Sequence, residues 1–447
     1  MKRYKEYKKT GMEWINEIPK GWKTEKLRNI GRFTSSGIDK KIKEDECLIK
    51  IINYTDVYGN KSLLLNSDRK YMEVSCPVDK ILNHQVKIGD LIFTPSSETI
   101  EDIGISALVN EELPNVAYSY HVLRFRFDIE VVHRYKKYLC NNNIVLNYFS
   151  SEARGTTRKI LNRENFKSAV VILPPINEQT EIANFLDEKT VKIDELISNK
   201  QKLIELLKEE KTALINNAVT KGINYNVKIK LSSIEWMKYI PEHWVIKRLK
   251  YLAKIQSSNV DKKTAKDEIS VKLCNYIDVY KNDYIDMSIS FMEASATQKE
   301  IDKFILIKND VLITKDSETP DDIACPALVV SDFEDVICGY HLAQIRPNNN
   351  DLIGEYLFRL FQSKDFNIHF ESSANGVTRY GLPLNSITDV YIPIPPQKEQ
   401  FEICKYINNE CQKIDLTILK IEKEIVLLQE YKNVLISESV TGKIKVI

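Results

Sequence analysis

From residue 176 onward the apolar positions of the chain settle into a long, regular stripe. They fall at Ile182, Leu186, Ile193, Ile197, Ile204, Leu207, Leu214 and Ala218, with gaps of 4, 7, 4, 7, 3, 7 and 4 residues. Such gaps describe a heptad seam. Neither Gly nor Pro interrupts it between Pro174-Pro175, suited to a first helical turn, and Lys221-Gly222, suited to a left-handed C-cap. A second seam, Ile403, Ile407, Ile414, Ile418, Ile425, Leu428 and Leu435, follows Pro395-Pro396 and ends near Thr441-Gly442. Each pattern predicts a helix of roughly 43 residues, about 65 Å long. A small globule cannot cover a seam of that length, so the two seams are expected to bury each other as an antiparallel coiled coil. The alternative is that each helix packs on its own globule. Thr190, Lys200 and Lys211 place polar groups in the first seam, which leaves room for a partner helix or for control of register.

Ahead of each seam the pattern changes to short β-like runs, at 48–52, 90–93, 106–109 and 121–127 in the first instance. In the last run apolar and basic residues alternate, which predicts one buried face and a second face carrying Arg124 and Arg126. A helical stretch near 131–149 and a closing strand at 169–173 lead into the prolines. Together they predict an α+β globule of about 150 residues.

All of this occurs twice. Glu13-Trp14, Pro19, Trp22, Leu27, Ser35-Ser36 and Asp39-Lys40-Lys41 return 222 residues later as Glu235-Trp236, Pro241, Trp244, Leu249, Ser257-Ser258 and Asp261-Lys262-Lys263. The correspondence runs on through the second half of each copy with few small insertions. A period of domain size is a duplication rather than a solenoid. Loops match as well as core runs, which points to one job done twice. The organisation expected is a first head at 1–173, a helical spacer at 174–222, a second head at 223–394 and a distal helical spacer at 395–447. Heads at the ends of an antiparallel pair would be related by a pseudo-twofold axis.

With 447 residues the chain has room for several cores, and 43% hydrophobic with 28% charged residues is an ordinary globular balance. Eight cysteines without C-x-x-C or metal-type spacing suggest buried thiols in a reducing cytoplasm. The basic N-terminus lacks the apolar stretch of a signal peptide, and no run reaches the ~20 residues of a membrane span. A net charge of +1 argues against nucleic-acid binding by bulk electrostatics and suggests that any DNA affinity is shared with a partner.

Catalytic apparatus is missing: no phosphate loop, no G-x-G-x-x-G, no H-E-x-x-H, and no [DNS]-P-P-[YFW] of the amino-methyltransferase kind. What recurs is contact chemistry. Gly155-Thr156-Thr157-Arg158-Lys159 and Gly376-Val377-Thr378-Arg379-Tyr380 join a flexible glycine to hydroxyls and cations, as phosphate contact requires. Ser97-Glu98-Thr99 and Ser317-Glu318-Thr319 set an acceptor between hydroxyls, suited to cytosine N4. Asn53-Tyr54 and Asn275-Tyr276 offer an Asn for adenine, and Tyr120-His121 and Tyr340-His341 offer a ring and an imidazole. For each of these pairs and clusters a satisfied turn or core role is the competing reading. Thr157, Arg158, Lys159, Thr378 and Arg379 are the strongest candidates for DNA contact.

The order globule, Pro-Pro-x-x-Glu-Gln helix, globule, Pro-Pro-x-x-Glu-Gln helix resembles the DNA-specificity subunit of type I restriction–modification systems over essentially the whole chain. The segments that carry the resemblance are Ile18-Pro19-Lys20-Gly21-Trp22 with Ile240-Pro241-Glu242-His243-Trp244, and Leu173-Pro174-Pro175-Ile176-Asn177-Glu178-Gln179 through Ile182. The resemblance implies two target-recognition domains, each reading half of a split double-stranded DNA site. It also implies that this chain is not itself an enzyme and binds no cofactor. Two modification subunits using S-adenosylmethionine would methylate adenine, and restriction subunits would add ATP- and Mg-dependent translocation and cleavage. Heads in this family are commonly dissimilar, whereas here they are close relatives, so related, inverted half-sites are expected. The rivals are a specificity protein serving a fused restriction–modification enzyme, and a two-headed coiled-coil scaffold with no DNA role.

Overall fold

The computed structural model describes residues 2–12, 14–224, 226–234, 236–265, 267–347 and 351–446. Glu13 and Glu235 of the repeated Glu-Trp pairs lie outside them. The chain forms two compact units, 1–200 with 423–447, and 201–422. Both boundaries fall inside the long helices, because each head packs on the start of one helix and the end of the other.

In the first unit a five-stranded sheet runs in the order Gly31–Thr34, Leu123–Phe127, Leu91–Phe93, Ser106–Val109, Leu64–Leu65. Only its last pairing, Ser106–Val109 with Leu64–Leu65, is parallel. Alternation divides its side chains between two cores. Leu91, Phe93 and Phe125 enter a large cluster with Trp22, Phe149 and Phe166, while Ile92, Ala107 and Val109 face a second cluster with Ile52, Val116 and Tyr118. The second cluster is closed by a three-stranded sheet ordered Val116–Tyr118, Cys47–Ile52, Met72–Cys76.

That second layer changes the reading of the 121–127 run. Arg124 and Arg126 do sit on the opposite face from Phe125, but the face is covered rather than open. Arg124 is 6% exposed and donates to the Gln85 carbonyl at 3.1 Å. Arg126 makes a two-pronged pair with buried Asp90 at 2.7 and 2.6 Å. The expected helix over 131–149 is also broken: a 3-10 turn at His133–Tyr135 and helix Lys136–Cys140 end at Asn141-Asn142, and Asn142 caps a new helix, Asn143–Glu152, by accepting from Ile144 and Val145 amides. The closing strand forms at Val170–Leu173 and pairs with Lys23–Lys26.

The second unit repeats this plan. Its five-stranded sheet runs Ala253–Ser257, Leu342–Pro347, Val311–Thr314, Pro326–Val329, Tyr284–Ile285, and its three-stranded sheet Met292–Ala296, Ile269–Cys274, Val336–Cys338. Arg346 grips fully buried Asp310 with two contacts of 2.6 Å, as Arg126 grips Asp90.

The long helices are Ile176–Lys221, 46 residues, and Gln397–Val440, 44 residues. Ile182, Leu186, Ile193 and Ile197 are buried in the first unit together with Leu435 and Ile436 from the other helix. Ile204, Leu207 and Leu214 are half-buried; Ile403, Ile407, Ile414, Ile418 and Leu435 are buried, and Ile425 and Leu428 half-buried. Buried Cys411 and Ile421 and half-buried Lys432 complete the second seam. The helices pack antiparallel: in the first unit Asp194 meets Lys432 and Lys200 meets Glu424, so that a step forward on one helix is a step back on the other. In the second unit Lys211 meets Asp415 at 2.8 Å. Lys200 and Lys211 thus pair between helices, whereas buried Thr190 lies 3.4 Å from the Tyr138 hydroxyl of the first head.

The two signature segments touch each other. In the first unit Trp22 Nε1 and the Tyr4 hydroxyl both donate to Glu178 Oε2, at 3.1 and 2.8 Å. In the second, Trp244 Nε1 donates to Glu399 Oε1 at 3.2 Å. Gln179 and Gln400 each return a hydrogen bond to the first proline carbonyl of their motif, at 2.9 Å. Gly442 and Gly222, at the end of the opposite long helix, lie against Trp22 and Trp244 at positive φ. All eight cysteines are free; Cys47 is exposed and Cys325 half-buried, a departure from uniformly buried thiols.

Candidate nucleic-acid interface

Each glycine-threonine-arginine loop is the tip of a short hairpin. In the first head Arg154 and Ile160 exchange backbone hydrogen bonds of 3.1 and 2.8 Å, and Lys159 pairs with Ser97. Gly155 has φ +119°, and a Cβ there would stand 2.1 Å from the Arg158 carbonyl oxygen. Gly376 at φ +154° would bring a Cβ within 1.9 Å of the Arg379 carbonyl. Glycine is therefore what lets the chain close tightly under each arginine. Thr157, Arg158, Thr378 and Arg379 are exposed, and Val377 is 90% exposed. The hairpins are bare.

The strand beside each hairpin carries the Ser-Glu-Thr cluster, so two candidates far apart in sequence become neighbours. Ser97 and Ser317 are buried and accept from the amides of Thr99 and Thr319 at 3.3 Å. Glu98, Thr99, Glu318 and Thr319 remain exposed. Lys159 donates to the Gly155 carbonyl at 2.7 Å and so ties its own hairpin.

The Asn-Tyr pairs arrive from a third element. Asn53 is buried and Asn275 half-buried, each beginning a short helix whose Asp56 or Asp278 caps back onto its amide at 2.7 Å. The Asn53 side chain lies beneath the surface. The following tyrosines do not: Tyr54 stacks on Tyr58 with centroids 5.0 Å apart, and the Arg158 guanidinium lies over its ring at 5.6 Å. Tyr276 stacks on Tyr280 at 5.5 Å. Tyr280 donates to Asp322 at 2.8 Å, which with the adjacent negative charge pushes its hydroxyl up to about 12.

Tyr120 and Tyr340 are about half exposed, at 48% and 49%, each with a histidine ring against it. Burial pushes the His121 pKa down, and the positive charges of Lys40 and Arg158 push it further. His341 instead meets Asp316, Nδ1 to Oδ2, at 2.6 Å. Arg379 lies 3.5 Å from the same nitrogen. Lys40, Lys315 and Asp316 belong to this neighbourhood but were not singled out from sequence; the signal was there in Asp39-Lys40-Lys41 returning as Asp261-Lys262-Lys263, and in Pro95-Ser96 giving way to Lys315-Asp316.

Each head therefore gathers hydroxyl, guanidinium, aromatic and imidazole groups around one bare hairpin. No group of His, Cys, Asp and Glu that could hold a metal occurs among the described residues, and no described helix is long and apolar enough to cross a membrane. Fold and surface together define a two-headed protein built for contact. A sequence model described as "Type I restriction modification DNA specificity domain" matches residues 19–207 and 241–427. The chain belongs to that family. In it the chain is the specificity subunit, and catalysis resides in partner subunits.

The MjaIX type I restriction enzyme specificity subunit of Methanocaldococcus jannaschii is 24% identical over 455 residues, covering 99% of this chain and 97% of its own. The MjaVIII specificity subunit of the same organism is 23% identical over 299 residues, covering 67% and 68%. Among solved structures, the HsdS subunit of Thermoanaerobacter tengcongensis aligns with a TM-score of 0.53 at 15% identity, covering 96% of this chain and 98% of its own. A chain from a study of assembly and conformational transition in a type I restriction–modification system aligns with a TM-score of 0.69 at 14% identity, covering 96% and 99%.

Proposed function

We propose that each head reads one half of a bipartite double-stranded DNA site and that the chain directs methylation and restriction by bound partners to it. The observation that carries this reading is the convergence, in both heads, of Tyr54, Glu98, Thr99, Tyr120, His121, Thr157 and Arg158, or their twins, around an exposed hairpin. Arginine and threonine at the tip suit phosphates; the glutamate and histidine suit base edges. Two modification subunits with S-adenosylmethionine, and restriction subunits with ATP and Mg, are the partners this reading requires, in the cytoplasm. Assembly is the subject of the study that yielded one of the aligned structures, which supports a multi-subunit setting.

Because the two heads share strand order, buried ion pair and hairpin, their half-sites share several bases. If a pseudo-twofold axis relates the heads, the half-sites lie as an imperfect inverted repeat, with centres about one helical turn, roughly 10 bp, apart. Methylome sequencing of the native host tests this, and two unrelated half-motifs would defeat it. A gel shift with reconstituted modification subunits separates the reading from a protein scaffold, which forms no sequence-selective complex.

A further inference from the structure

Among the few positions at which the two hairpin neighbourhoods differ, one pair of substitutions changes the chemistry around the histidine. Strand Ser96–Ser97 of the first head corresponds to Asp316–Ser317 of the second, and across the ladder Ser96 faces Ile160 whereas Asp316 faces Gly381. The substitutions match each other sterically: a Cβ on Gly381 would stand 3.3 Å from Asp316 Oδ1, so the glycine makes room for the carboxylate. Asp316 spends that room on His341. A 2.6 Å contact between a carboxylate oxygen and Nδ1 requires a proton between them, so Nδ1 donates, and Arg379 at 3.5 Å is the weaker neighbour. In the neutral ring this leaves Nε2 as an acceptor without a partner among the described residues. The side chain is 29% exposed, beside Tyr340, whose ring also lies 5.1 Å from the Lys315 ammonium. Among the described residues no carboxylate is hydrogen-bonded to His121; Lys40 and Arg158 are the charges that act most strongly on it, with Asp39 acting more weakly in the opposite direction.

An acceptor held in one tautomer on a partly exposed imidazole discriminates in the major groove. It accepts from the amino group of cytosine or adenine, and meets an acceptor on guanine or thymine. We propose that Asp316 is a positioning residue that fixes His341 as a base reader, so that the second half-site demands cytosine or adenine at one position where the first half-site is more permissive. The inference rests on the DNA-specificity reading and names what makes the otherwise similar half-sites differ.

Methylome sequencing of hosts carrying the wild type, D316S, H341A, the D316S/H341A double variant and the S96D/I160G transplant tests it. A bipartite wild-type motif upholds the specificity reading. D316S then relaxes one position of one half-motif by about tenfold, as expected when a base contact is released, and leaves the other half unchanged. H341A relaxes the same position, and the double variant relaxes it no further, because Asp316 acts only through His341. S96D/I160G gives the first half-site a new preference for cytosine or adenine. Unchanged base preference in both D316S and H341A overturns the proposal while leaving the wild-type motif standing, as does equal weakening at all positions. Should D316S fail to accumulate, H341A alone decides by the same position-specific readout. Absence of any wild-type bipartite motif overturns the specificity reading and this inference with it.

Discussion

Arg158 owes its position to Gly155. The arginine was legible in the sequence as a phosphate-type residue, but why a glycine precedes it by three residues was not, because the lack of room for a Cβ at 155 beneath the Arg158 carbonyl arises only once the hairpin closes. Arg158→Ala should weaken binding to all sequences and lower the salt slope by about one; equilibrium titrations from low to high salt measure it, and an unchanged slope reassigns the loop to structure. Gly155→Ala should reproduce the loss of affinity at an almost unchanged melting temperature, since an exposed tip can open without disturbing the core. Asp90 behaves oppositely. It is buried and doubly bonded to Arg126, so Asp90→Ala leaves a cation without its counter-charge and should cost about 3–5 kcal/mol in denaturant unfolding. Asp310→Ala should do the same in the second unit. This pair was visible in principle, because Asp and Arg recur at the same separation in both copies, yet alternation alone placed the arginine on an open face.

Among the elements, the junction of head and helix explains the signature segments. Ile-Pro-x-x-Trp and Pro-Pro-x-x-Glu-Gln read as separate short patterns until the indole of Trp22 is seen donating to Glu178. Trp22→Phe keeps most of the packing and leaves Glu178 one donor short, a loss of about 1.5–3 kcal/mol for a bond to a charged group. Trp22→Ala adds a cavity and should cost about 3–5 kcal/mol. A double-mutant cycle with Glu178→Gln measures the coupling, and additivity would show that the contact contributes nothing of its own. The helices themselves followed the heptad pattern closely, since a seam repeating over some 40 residues leaves few alternatives. The interrupting lysines were the ambiguous part. Lys211 reaches Asp415 at 2.8 Å from a largely covered seam position. An ion pair near solvent contributes at most about 1 kcal/mol, so Lys211→Leu should leave unfolding stability unchanged or raised; a large drop would show that the pair matters more than burial.

For the whole molecule, duplication is the governing fact. Two units with the same strand order and the same buried ion pair present the same kind of surface twice, and the methylome prediction of related half-motifs belongs at this scale. Differences between the half-motifs should trace to the few places where the hairpin neighbourhoods diverge, of which Ser96 against Asp316 is the most chemically consequential.

The repeat, the two long helices, the α+β heads and the family resemblance were determined by the chain as written, because periodicity and a long-range internal match survive any detail of packing. Which candidates stand together was decided by tertiary structure alone. Asn53 went under the surface to start a helix, Ser97 was buried in a ladder, Arg124 was covered by a second sheet, and Arg158 came to rest over Tyr54. The physical reason is that exposure and neighbourhood depend on which layers close over a strand, and residues separated by dozens of positions in the chain determine that closure.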